Sequence, residues 1–375
     1  MMRRNDIDWL RVLVFGLLIF YHTGLFFDQG DFHIKNNILY DWLKLPMYFL
    51  NRWRLPILFV ISGMGTYFAL NKRSSWQFSK ERIVRLFIPL VFGMLFIVPP
   101  QVYIERLTDN DFLGSYFVFW KDVAFIGEYP EGNLSWHHLW FLPYLLLFSL
   151  LWLPIFKYIK KYPANKLMLW LSKQIKKPLG LFWFCLPLIL IEFTLEPYFP
   201  KTHALVGDWY LLTKFSVLFG YGFILIHLKN IFWKSLESYR KLYATIAVLA
   251  FSVLYVSVWI MKDTHFSYAL ELIIIPINYW SWILTFFGFA AKYLNKTSEK
   301  LRYANEAVYP FYILHQTITI IIGYYIMNLD WGFLLKFSTM VIGTFLGSWI
   351  LYEFVIRRLN YIRPLFGLKK KKINR

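Results

Sequence analysis

Cysteine is almost absent. Cys185 is the single one in 375 residues, which excludes a disulfide framework and a cysteine zinc site. It falls inside an apolar block and reads as a small buried hydrophobe. Acidic residues are scarce as well: 22 Asp and Glu face 41 Lys and Arg, for a formal net charge of +19. That surplus suits nucleic acid or a membrane surface, and its placement decides, because the cations lie between the apolar blocks. No nucleic-acid partner is expected. A Walker A loop, a GxSxG elbow and an HExxH pair are all missing, so ATP-driven transport, serine hydrolysis and zinc proteolysis lack support. No repeat, flexible linker or large extramembrane block is visible, so residues 1–375 are expected to form one membrane domain.

What is present in excess is apolar sequence. Hydrophobic residues make up 58% of the chain and aromatics 22%. A hydrocarbon core of roughly 30 Å needs about 20 apolar residues per helix, and a helix satisfies its own backbone groups in lipid. The blocks predict an all-α, polytopic bundle of ten transmembrane helices near 7–27, 46–70, 86–104, 138–156, 179–195, 211–228, 242–261, 268–291, 305–327 and 333–355. With a cytoplasmic N-terminus, the cytoplasmic segments hold 30 of the 41 Lys and Arg residues, so the positive-inside rule puts both termini in the cytoplasm. Met1 to Arg4 followed by an apolar stretch without a small-residue cleavage site reads as an uncleaved signal anchor. Segment 157–178 mixes lysines with Leu167, Met168, Leu169, Trp170 and Leu171, as a helix on the inner membrane surface would. The Lys369 to Lys372 run reads as a solvated tail near anionic headgroups.

Ionisable residues inside a membrane are costly and are functional candidates by default. Arg11 and His22, 11 residues apart, share one face of the first helix at an axial separation of about 16.5 Å. One reading is a long ligand with its anionic end inside and its reactive end at His22, whose imidazole can take a proton from a hydroxyl. The other is an interfacial histidine, a snorkelling Arg11 and a local ion pair with Asp8. Arg82 and Arg85, beside Lys80 and Glu81, share a face that can grip phosphates or can simply follow the positive-inside rule. Trp136, His137, His138 and Trp140 form an outer aromatic group able to stack on a sugar, or an interfacial belt. His315 lies near mid-membrane and is expected to face the bundle interior. Glu353 and Arg357, at i and i+4, read as an ion pair. Asp6-Ile7-Asp8 and Asp109-Asn110-Asp111 match a two-aspartate metal pattern only weakly, and no metal is expected.

Five pieces in order carry a resemblance to a known family. They are Arg11 to His22 within the first helix, Phe59-Val60-Ile61-Ser62-Gly63, Arg82-Ile83-Val84-Arg85-Leu86, Trp140-Phe141-Leu142 and Tyr312-Ile313-Leu314-His315. Together they resemble the acyltransferase 3 family of membrane O-acyltransferases over nearly the whole chain. Lys35-Asn36-Asn37, Trp53-Arg54, Pro99 to Tyr103 and Ser135 to Trp140 look closest to members thought to succinylate osmoregulated periplasmic glucans. The resemblance implies a multi-pass protein of the bacterial cytoplasmic (inner) membrane, in contact with membrane lipid. It implies acyl-CoA (succinyl-CoA or acetyl-CoA) as donor and an extracytoplasmic glycan as acceptor. His22 and Arg11 would be catalytic, Arg82, Arg85, Arg11 and Ser62 would bind acyl-CoA, and His137, His138, Trp136 and Trp140 would bind the acceptor. Without the hydrolase-like domain of some members, an intramembrane mechanism is expected. A transporter or flippase for an anionic glycan or lipid-linked precursor is the rival reading, since intramembrane cations also mark substrate paths.

Overall fold

The computed structural model describes residues 4–261 and 264–371. Met1 to Arg3 of the signal-anchor reading and Lys372 of the basic tail lie outside the described residues. The elements are helical throughout, and no strand occurs among the described residues. The principal ones are α1 (Asn5–Phe27), α2 (Asp41–Leu70), α3 (Ser75–Thr108), α4 (His137–Leu151), α5 (Leu153–Lys161), α6 (Gly180–Thr194), α7 (Trp209–His227), α8 (Asn230–Met261), α9 (His265–Tyr293), α10 (Glu299–Ile326) and α11 (Phe333–Ile356).

Each of the ten predicted segments is helical, but they are not ten equal spans. Among the described residues, seven helices (α1, α2, α3, α7, α8, α9 and α11) are long and apolar enough to cross a membrane, and an eighth is gained if α4 and α5, bent by 44°, count as one broken span. Two segments differ for physical reasons. Helix α6 is short. Helix α10 is long enough, but polar His315, Gln316, Thr317 and Thr319, all four buried, dilute its apolar composition. Segment 157–178 is likewise not one helix. It breaks after Lys161, at Pro163, and resumes as a short helix of about two and a half turns over Lys166–Gln174 capped by Asn165, because proline cannot continue the hydrogen-bond ladder.

The chain packs as two compact units, neither of them a contiguous stretch. Unit 1 comprises Met1–Arg11, Phe49–Lys80 and Tyr144–Leu301; unit 2 comprises Val12–Tyr48, Glu81–Pro143 and Arg302–Arg375. In unit 1, α2 and α7 cross in backbone contact. A Cβ on Gly63 would lie 1.9 Å from the Phe219 carbonyl oxygen, and one on Gly222 would lie 2.0 Å from that of Val60. The glycine of the Phe59–Gly63 motif is therefore a packing requirement.

In unit 2, prolines in α3 shape the site by freeing carbonyls. Pro89 has no N–H to donate to Arg85, four residues back, and the Tyr309 hydroxyl donates to that carbonyl at 2.8 Å. Pro99 leaves the Leu95 carbonyl in the same way, and the Trp120 indole donates to it at 2.8 Å. The π-helical turns Ile83–Phe87 and Gly93–Ile97 sit just before these prolines, as expected where the i→i−4 ladder is broken.

Candidate functional site in unit 2

Helix α10 carries Tyr309, Tyr312 and His315 at i, i+3 and i+6. The Tyr309 and Tyr312 rings stack with centroids 6.3 Å apart, and the Tyr312 and His315 rings lie 6.1 Å apart. His315 is almost fully buried and is the hub of a histidine cluster. Its ring centroid lies 5.1 Å from that of His22 on α1 and 5.2 Å from that of His138 on α4. The His315 Nδ1–H donates to the Tyr312 carbonyl at 2.7 Å, which puts the basic lone pair on Nε2. His138 has the opposite tautomer. Its Nε2–H donates to the Ile313 carbonyl at 3.0 Å, while Nδ1 accepts from the Gln101 amide at 3.4 Å. The Tyr312 hydroxyl donates to the His138 carbonyl at 2.6 Å. These bonds make His138 a buried support for the cluster.

The cluster continues outward from His22. Phe32 packs with its centroid 6.0 Å from His22 and 5.5 Å from His33. The Gln316 amide donates both to His33 Nε2, at 3.0 Å, and to Gln101 Oε1, at 3.1 Å. With Nε2 accepting, the His33 proton sits on Nδ1, which bonds Glu105 Oε2. The Tyr129 hydroxyl donates to the other Glu105 oxygen at 2.9 Å. Burial first, and then the Glu105 carboxylate, push the Tyr129 phenol far above its ordinary value, so it stays a donor. His137 turns to this side, with its ring 4.3 Å from His33 and 4.7 Å from Tyr129. A hydrogen-bonded chain thus runs from Glu105 through His33, Gln316 and Gln101 to His138. Buried polar groups are tolerated when paired in this way.

Two local devices fix this geometry. The loop after α1 is tied down by Lys35, whose ammonium donates to the Leu25 carbonyl at 2.6 Å and the Asp28 carbonyl at 3.1 Å. Burial lowers the Lys35 pKa and Asp28 opposes that shift. Asn36 and Asn37 then accept from the buried Lys336 ammonium at 2.8 and 3.1 Å. The Lys35-Asn36-Asn37 motif is architectural and holds the segment that carries His33. The loop before α4 is folded back by Arg106, which donates to Asn133 Oδ1 at 3.0 Å and the Gly132 carbonyl at 2.9 Å. That fold presents Tyr129 to Glu105.

At the other end of the α10 stripe lie Arg82 and Arg85. Arg85 Nε–H donates to the Gly367 carbonyl at 3.1 Å. Gly367 has φ of +69° and packs where a Cβ would strike the Tyr309 ring at 1.9 Å, so only glycine fits. Glu81 receives Lys369 at 3.0 Å and Arg85 at 3.7 Å. An apolar cavity of about 170 Å³ lies among α1, α10 and α11, and its wall runs along α10 from Tyr303 to His315. Small residues create it: Gly16, Ala304 and Ala307 line it, and a Cβ on Gly16 would meet nothing within 4 Å.

The remaining sequence candidates lie elsewhere or are committed. Arg11 belongs to unit 1 and makes the expected ion pair with Asp8 at 2.9 Å. Ser62, also in unit 1, donates its only hydroxyl proton to the Leu58 carbonyl at 2.8 Å, so it is not poised to donate to a ligand. Glu353 pairs with Arg357 at 2.9 Å and accepts from the Tyr303 hydroxyl at 2.8 Å, a structural cluster at one end of the cavity. Trp136 and Trp140 are half-buried and flank the turn that bears His137 and His138. Among the described residues, no group of three or more His, Cys, Asp or Glu side chains is arranged to hold a metal ion.

Sequence reasoning missed His33, Glu105, Tyr129, Gln101 and Gln316 as members of the site. One signal was available. Glu105 is a carboxylate within an apolar helix, and the predicted third segment stopped at residue 104, one short of it.

A family model described as an acyltransferase domain matches residues 4–353. Glucans biosynthesis protein C of Shigella dysenteriae serotype 1 is 25% identical over an alignment of 389 positions, covering 98% of this chain and 95% of that protein. The protein of the same name from Escherichia coli K12 is 24% identical with the same coverage. No solved structure matches the chain. The family match takes in most of both packing units, and the chain belongs to the acyltransferase 3 family of multi-pass membrane acyltransferases.

Proposed function

We propose that this protein moves an acyl group, succinyl in our reading, from acyl-CoA on the cytoplasmic side to a hydroxyl of an extracytoplasmic glucan, with both of its termini in the cytoplasm and ten crossings of a bacterial inner membrane. The convergence of His22, His315 and His138 around one point of α10, next to the Glu105–His33 pair, is the observation that carries the reading. The glucan acceptor is supported by the printed name of the relatives, which span nearly their full length on this chain.

In this reading His22 is the general base. The acceptor hydroxyl loses its proton to the imidazole as its oxygen attacks the thioester carbonyl. The carbon–sulfur bond breaks, a carbon–oxygen ester bond forms, and the proton leaves on the thiol of coenzyme A. Transient acylation of His22 followed by transfer balances equally. His315, with its lone pair held on Nε2, orients His22 or shares its proton. Glu105 and His33 polarise the acceptor from the other side, and His137 with Trp136 and Trp140 steadies the sugar. Arg82 and Arg85 hold the donor phosphates. The pantetheine arm occupies the apolar cavity, whose wall from Tyr303 to His315 covers about 18 Å of helix, comparable to the arm's extended length.

The test is reconstitution in liposomes with acyl-labelled succinyl-CoA or acetyl-CoA on the side of the basic loops and glucan on the other. Label appearing on glucan supports the proposal, and the donor that labels faster identifies the acyl group. Unmodified glucan crossing the membrane without labelling refutes it in favour of transport.

A further inference from the structure

Unit 1 contains a second cavity of about 170 Å³, built on α2, α7, α9 and the loop 195–208. Its wall is rich in donors: the Arg52 guanidinium, the Lys201 and Lys214 ammonium groups, and the hydroxyls of Tyr210 and Tyr279. Lys214 is a buried cation in an apolar helix, a placement that costs several kcal/mol unless compensated. Compensation comes from Glu192, which accepts from Lys214 at 2.8 Å and from Tyr210 at 2.6 Å. The Tyr210 and Tyr279 rings also face the ammonium, with centroids 5.0 and 4.9 Å away. Lys201 pairs with Glu196 at 2.9 Å. Neither carboxylate lines the cavity. Lys214 and Lys201 are therefore answered by carboxylates off the wall, the Arg52 guanidinium adds a further cation to the lining, and burial lowers the His203 pKa.

An independent sign of a ligand is Tyr279. Its side chain is 1% exposed, it lines the cavity, and its hydroxyl has no hydrogen-bond partner among the described residues. A buried hydroxyl left unpaired costs free energy that a bound acceptor would recover. The lining also includes apolar Leu55, Pro56, Phe215 and Ile275.

We propose that this cavity binds the phosphate or carboxylate head of a small anion with a short apolar body, gripped by Arg52, Lys214 and the Tyr279 hydroxyl. Every residue lining it belongs to unit 1, and the proposal does not depend on the acyl-transfer reading. The same head chemistry is offered by an anionic phospholipid and by a soluble anion from the aqueous side.

The test uses the full-length protein in nanodiscs. Thermal unfolding is followed against inorganic phosphate and succinate in phosphatidylcholine discs, and separately in phosphatidylglycerol discs without added anion. Stabilisation by phosphate or succinate assigns a soluble ligand, and stabilisation by phosphatidylglycerol alone assigns a lipid. Arg52→Gln and Tyr279→Phe should each weaken whichever stabilisation is seen by about tenfold in half-saturating concentration or lipid fraction, as loss of a hydrogen bond to a charged group does. Where Arg52→Gln fails to fold, the isosteric Tyr279→Phe and the charge-neutral double variant Glu192→Gln with Lys214→Met carry the test. No stabilisation of the wild type by any probe, or binding by Tyr279→Phe equal to wild type, would overturn the proposal.

Discussion

Two buried polar clusters, one in each packing unit, solve the same problem in different ways. In unit 2 the groups around His315 are largely neutral imidazoles and amides whose tautomers are fixed by backbone carbonyls. In unit 1 the group around Lys214 is a formal ion pair held by Glu192 and two phenols. A neutral imidazole carries both a proton to give and a lone pair to receive one, whereas a buried ion pair resists any change of charge. The first arrangement suits proton transfer and the second suits holding a ligand of fixed charge. The difference tells apart two kinds of intramembrane ionisable residue that a sequence presents alike.

The sharpest way to break that contrast is to remove one partner in unit 1. Lys214→Met alone should destabilise the folded protein by about 3–5 kcal/mol, because Glu192 is left as an uncompensated buried charge, while the double variant with Glu192→Gln should recover most of the loss. Unfolding of the two variants in the same detergent checks this. In unit 2 the effect should fall on rate instead. Glu105→Gln keeps the size of the side chain but not its charge, and we expect transfer to slow by about 10- to 100-fold with little change in thermal midpoint. Steady-state acyl transfer to glucan measures it. Arg82→Ala and Arg85→Ala should each raise KM for acyl-CoA by about tenfold at nearly constant kcat, as loss of a charge-assisted phosphate contact does. A reversed membrane orientation, read by protease protection, would instead assign these arginines to topology. The smallest effect is expected for Tyr312→Phe, which loses only its bond to the His138 carbonyl, at about 1 kcal/mol of stability.

Much of this arrangement was open to inspection in the chain alone. Helix positions followed from the apolar blocks, His22 and His315 were singled out because an imidazole among apolar residues is expensive, and His137 and His138 as part of an outer aromatic group. The carbonyls freed at Arg85 and Leu95 also follow from Pro89 and Pro99 by counting back four residues. What periodicity cannot reach is convergence. His33 sits in a polar loop where a histidine costs nothing, and Tyr129 in another, and only Lys35, Asn36 and Arg106 folding those loops bring them to Glu105. The same limit explains Arg11. Its spacing from His22 was correct along a helix, yet it pairs with Asp8 at one turn, which spacing allowed equally. Composition alone marks only seven or eight of the ten spans among the described residues for a related reason, since α10 hides its polar face in the protein and so looks less apolar than a helix that meets lipid.

The account stands or falls on His22. Replacing it with asparagine preserves polarity and approximate size but removes a group able to take a proton near neutral pH. The measurement is the single-turnover rate of acyl transfer to glucan by His22→Asn, in a preparation whose thermal midpoint matches wild type. A fall on the order of 10³-fold is predicted, within the range that general acid–base catalysis contributes. A rate within about twofold of wild type, less than 0.5 kcal/mol in activation free energy, would contradict it.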